Sequence, residues 1–156
     1  KFNNDQIVKP MKSIEKKQAP MWFTILGIIA LVWNFLGVGA YLIHVYMTDE
    51  MISGLPQAQI DIIYNTPVWV NGAFALAVWC GLLGSICMLF KKKISVYLFQ
   101  ISFAGIFIQN IHSFFMIDAV GAFGLVQGLI MPCIVMFFAI VLILVNTTAK
   151  KSHWIR

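Results

Sequence analysis

At 156 residues, 60% of them hydrophobic and 11% charged, with a mean hydropathy of +0.85, the chain is too apolar for a soluble domain, where about a quarter of residues are charged. The net charge of +5 would suit a nucleic-acid partner, but all eleven basic residues fall in three short segments flanking apolar runs, which excludes that reading. The length allows one domain, and the pattern predicts an all-α integral membrane fold: an up-down-up-down bundle of four transmembrane helices over residues 21–147.

Residues 1–20 carry Lys1, Lys9, Lys12, Lys16 and Lys17 and read as a basic tail ending at Pro20, on a chain that, opening at Lys1, reads as trimmed or processed. The first apolar run, about 21–47, is longer than a signal-peptide core and can cross ~30 Å of hydrocarbon with some tilt, so it reads as a retained span. Residues 48–66 make an outward loop in which Pro56 opens a short amphipathic helix carrying Ile60, Ile63 and Tyr64 on one face. Further spans follow over about 67–90, 94–117 and 122–145, with Met131-Pro132 predicting a kink in the last, and a basic tail closes the chain over 148–156. The turns at 91–93 and 118–121 are short enough to force antiparallel neighbours.

The basic segments alternate with connections that hold only acids (Asp49, Glu50, Asp61 and Asp118), and this positive-inside pattern places both chain ends and the 91–93 turn in the cytoplasm. Trp22, Tyr46, Tyr64, Trp69 and Trp154 lie near span ends, as interfacial aromatics do. Cys80, Cys87 and Cys133 sit inside apolar runs and read as packing residues; Cys80 and Cys87 are about 10 Å apart by helical rise, too far to bridge.

Polar residues inside the spans point to the site. Asn34, Gly37, Tyr41 and His44 share a face of the first span, and Ser95, Ser102, Gly105, Gln109, His112 and Ser113 share one on the third. Asn71, Ala75 and Ser85 form a weaker stripe on the second span, and the fourth contributes Gln127. Buried polar groups need partners in lipid, so these faces turn inward. Counted by helical rise, Tyr41, Asn71, His112 and Gln127 lie in one layer roughly 10 Å outward of mid-bilayer, with His44 a turn above. Tyr41, His44, Asn71, Gln109, His112 and Gln127 are therefore the candidate ligand contacts, and Asn34 an interhelical hydrogen bond. His44 and His112 are also the weak candidates for a metal or for the axial positions of a b-type haem. Gly121, Gly124 and Gly128 offer a small-residue face for helix packing, or for a second copy or a larger membrane assembly.

Trp33-Asn34 with Gly37 and Tyr41, then Tyr46-Met47-Thr48, Pro67-Val68-Trp69, the lysines at 91–93 and Met131-Pro132 resemble a family of short bacterial four-helix membrane proteins. Members are often labelled sugar transporters, and their layout is similar to the DoxX-like membrane proteins. The resemblance covers roughly residues 22–147. It implies a multi-pass protein of the bacterial cytoplasmic (inner) membrane and transfers no catalytic residue; some DoxX-like proteins are subunits of membrane redox systems that work with quinone. The expectation is a non-enzymatic inner-membrane protein that binds a small molecule or lipid in an outward-facing polar pocket, in some settings as a small subunit of a larger assembly. The alternatives are a haem- or quinone-linked redox subunit and a small-solute transporter.

Overall fold

The structure, a computed structural model, describes residues 18–156, so nearly all of the expected N-terminal tail lies outside the described residues. All regular structure among these residues is helical: α1 (Met21–Val45), α2 (Asp49–Ser53), α3 (Gln57–Asn65), α4 (Val68–Leu89), α5 (Ile94–Phe115), α6 (Ala119–Leu125), a π-helical turn (Val126–Ile130) and α7 (Met131–Lys151). Helices α1, α4, α5 and the composite Ala119–Lys151 are long and apolar enough to cross a membrane. Their outer faces are largely hydrocarbon, with Gln100 of α5 an exposed polar exception. Ile25, Ile29, Val32, Phe35 and Leu36 of α1 are each at least half exposed, a surface suited to lipid.

Helices form here because a chain in lipid must satisfy its own backbone groups. Pro20 and Pro67 stand just before α1 and α4, where a missing N–H costs nothing. The first three spans begin and end within two residues of the expected boundaries.

The fourth departs from a single helix over 122–145. Its chain breaks at Gly124, whose φ of 77° belongs to glycine, and widens into the π turn before Pro132. Pro132 has no N–H to offer the carbonyl of Gly128, and its ring crowds that carbonyl. The wider turn, closed by Met131 N–H on the Val126 carbonyl, absorbs the mismatch. Gly121, Gly124 and Gly128 consequently do not form one flat stripe. Gly121 sits over the Asp118 carboxylate that caps α6, and Gly128 packs on the Ala119–Val120 backbone.

The α1–α4 interface runs down one stripe. Gly27 meets Leu89, Asn34 meets Gly81 and Ser85, Gly37 meets Val78, Tyr41 meets Phe74 and His44 meets Asn71. Helices α4 and α5 come closer still. A Cβ on Gly105 would lie 2.6 Å from the Ala73 carbonyl and 2.9 Å from Ala77 N, and Ser102 Oγ donates to the Ala77 carbonyl at 2.6 Å. Small residues let the two backbones touch, which is how association proceeds where lipid is as apolar as the helix surface. A buried polar node ties α4, α5 and α7: Ser95 Oγ donates to Asn146 Oδ1 at 2.9 Å, and Asn146 Nδ2 donates to the Leu142 carbonyl and lies 3.3 Å from Met88 Sδ.

Two ends differ in charge. At the acidic end, Thr48 caps α2, Asp118 caps α6, Gln57 donates to Asp61, and Gln59 Nε2 donates to the Ala122 carbonyl, fastening α3 to α6. At the basic end, α4 and α7 both finish in Schellman motifs. Lys91 N–H bonds the Met88 carbonyl and Lys92 N–H that of Cys87; His153 N–H bonds Lys150 and Trp154 N–H bonds Ala149. The left-handed position, normally glycine, is filled by Lys91 (φ 56°) and His153 (φ 57°), at a cost of about 1–2 kcal/mol each. The two ends are then clasped together, Lys93 N–H to the Arg156 carbonyl and Arg156 N–H to the Lys91 carbonyl, both 2.7 Å. Ile155 is fully buried beneath, and Trp154 meets Trp22 and Phe23 edge-on.

Candidate functional site

Helices α1 and α7 lie side by side without close backbone packing along their lengths. They meet at the basic end through Trp154 and again where Trp33 contacts Phe138, ring centres 5.5 Å apart. Around that contact lies a cavity of about 740 Å³ among α1, α4, α5, α6, the π turn and α7. Its walls are chiefly apolar, and its hydrogen-bonding groups come from Asn34, Ser102, Gln109, Asn110, Ser113 and Gln127. Lys, Arg, Asp, Glu and His are all absent from its lining. Leu36 of α1 and Met131 of α7 line it and are also exposed at the surface.

The polar groups differ in how far they are already committed. Ser102 is bound to the Ala77 carbonyl, and the Asn34 amide donates to the Ala30 carbonyl at 2.8 Å and to Ser85 Oγ at 3.2 Å, the interhelical bond expected of it. Asn110 is 7% exposed, and its Nδ2 is buried with no hydrogen-bond partner among the described residues. An unpaired amide in an apolar setting costs free energy, and the fold leaves this one uncompensated.

The six expected contacts divide between three places. Gln109 and Gln127 line the cavity. Tyr41, His44 and Asn71 lie instead in the α1–α4 interface. His44 Nε2 is 3.1 Å from Asn71 Oδ1, so with its proton on Nε2 the imidazole donates to the amide oxygen. The Phe74 ring stands 5.4 Å from Tyr41 and 6.1 Å from His44. His112, on α5, is 5% exposed and meets Trp69 edge-on at 5.6 Å. Trp69 and Asn71 point about 200° apart around α4, which sets the two imidazoles on opposite flanks of that helix. They do not face a common centre, and a bis-histidine haem does not fit this arrangement. Among the described residues no three His, Cys, Asp or Glu side chains gather as a metal site would require.

Asn110 escaped the reading by faces because it sits about 100° around the helix from Gln109, outside the stripe that Ser102, Gln109 and Ser113 define. The cavity is wider than one stripe, and Phe99, Ile106 and Asn110 line it too. The available signal was simply an asparagine in an apolar run with no assigned partner.

No family model, curated protein or solved structure matches the chain.

Proposed function

We propose that the chain is a multi-pass protein of the bacterial inner membrane that binds a neutral amphiphile in the bundle cavity. The observation that carries this reading is the lining. About 740 Å³ of mostly apolar space, within the range of small-molecule pockets, is furnished with amides and hydroxyls and with no charged side chain. An ionised headgroup would find no counter-charge there, and a sugar would leave most of the wall unmatched. A molecule with an apolar body and an uncharged hydrogen-bonding head matches both; long-chain alcohols, diacylglycerols and quinones belong to this class. Amides and hydroxyls suit holding more than bond-breaking, and binding rather than catalysis is the activity proposed.

The proposed orientation is an up-down-up-down bundle with the basic end in the cytoplasm and Gln109, Asn110, Ser113 and Gln127 of the cavity lining in the outward half. It is supported by the alternation of basic and acidic connections. The α1–α4 contacts support it too, since residue numbers on one helix rise as those on the other fall.

Purification of the full chain in mild detergent, followed by mass spectrometry of co-extracted small molecules, tests the proposal. One neutral amphiphile per chain is expected. Ser113→Phe, which puts a ring into the cavity, and Gln109→Leu should each reduce its retention about tenfold, the equivalent of one hydrogen bond or so. His44→Ala, outside the cavity, should leave it in place. Full retention in both cavity variants would refute the assignment.

A further inference from the structure

The basic end holds a second hollow, of about 340 Å³, whose lining includes Phe90, Lys91, Lys92, His153, Trp154 and Arg156. The clasp between the ends of α4 and α7 builds it. Without the bonds linking Lys93 and Lys91 to Arg156, the Arg156 side chain would not be brought back beside Lys91 and Lys92. The side chains of Lys91, Lys92 and Arg156 therefore belong to one small hollow, and no Asp or Glu side chain among the described residues lines it. Like charges held so close repel one another unless an anion enters.

Both left-handed, non-glycine residues of the described chain, Lys91 and His153, line this hollow. Backbone strain concentrated at one site points to a site that is used. In a motif where glycine would serve the backbone better, a lysine and a histidine stand instead, and both line the hollow.

The rim identifies the source of the anion. Phe90, which lines the hollow, is 73% exposed, and Trp22, edge-on against the lining residue Trp154, is 49% exposed, so exposed aromatic rings lie at and beside the cationic hollow. A free phosphate would use the cations alone, whereas a lipid would also lay its chains against the rings. Arg156 can grip a phosphodiester with two parallel N–H donors, and lysines add point charge. We infer that this hollow is the seat of a phosphodiester headgroup belonging to one anionic lipid. The seat is independent of the neutral ligand proposed for the bundle cavity, and cavity variants such as Ser113→Phe should not disturb it.

The full chain, reconstituted in nanodiscs of phosphatidylglycerol and phosphatidylethanolamine and then released into mild detergent, can be analysed by native mass spectrometry. One phosphatidylglycerol should stay bound per chain. The Lys92→Gln/Arg156→Gln double variant should lose it about tenfold, while Lys150→Gln/Lys151→Gln, which removes the same charge outside the hollow, should keep it. Lys91→Gly is the check on folding, because it takes away a cation while relieving the backbone. It should lower retention without lowering the melting temperature. Equal loss in the two double variants would reduce the effect to diffuse attraction and overturn the site. So would retention in all variants, absence of bound phosphatidylglycerol in the unaltered protein, or its displacement by millimolar inorganic phosphate.

Discussion

Asn110 occupies a place where leucine would pack at no electrostatic cost. Leaving an amide unpaired in a buried site typically costs about 1–3 kcal/mol, although bonds measured between membrane helices average nearer 0.6. Asn110→Leu should therefore leave the empty protein as stable or up to about 1 kcal/mol more stable in a denaturing-detergent titration, while weakening amphiphile retention. A clear loss of stability without ligand would mean that the amide has a structural partner, and that it is not held in reserve. The other polar residues show why composition alone underdetermines a site. His44 and Asn71 satisfy each other across α1 and α4, and Asn146, buried at the opposite end, is spent on Ser95, Leu142 and Met88. Sequence can require that a polar group in a span find a partner, but which groups pair with one another and which face a void depends on helix rotations of a few tens of degrees.

At the scale of helices, α4 is the centre of the bundle. It packs on α1 along one side and on α5 along another, with Gly105 allowing the closest approach. Gly105→Ala should push α4 and α5 apart against main-chain atoms and destabilise by about 1–3 kcal/mol. Gly39→Ala, where an added Cβ meets nothing within 4 Å, should be neutral or stabilising by at most about 1 kcal/mol. Unfolding titrations of the two variants side by side provide the measurement, and equal effects would mean that the α4–α5 contact is not the tight one. Boundaries of the first three spans were legible because stretches of 22–25 mostly apolar residues, with proline or lysine at their ends, have one physical solution in lipid. The fourth was harder. Met131-Pro132 announced a disturbance, but Gly124 in the left-handed region and the π turn together decide its form, and a lone glycine does not disclose its φ.

For the whole molecule, the separation of charge gives a direct test of orientation. In a variant with Cys80, Cys87 and Cys133 replaced, a cysteine placed at Gln57 should react with a membrane-impermeant maleimide in intact cells. One at Lys93 should react only after permeabilisation; the reverse pattern would invert the proposed topology. This asymmetry is plain in the sequence, with eleven cations confined to three segments. The enclosed space was not legible at all, because it lies between helices whose backbones do not pack closely along their lengths.

That gap between α1 and α7, flanked by Leu36 and Met131, has a thermodynamic corollary. A guest of the proposed class partitions almost wholly into the acyl chains, so its occupancy follows its mole fraction in the bilayer and not its amount per volume of buffer. Diluting the protein with extra phospholipid would then empty the cavity at constant aqueous composition, whereas enlarging the buffer volume would leave it filled.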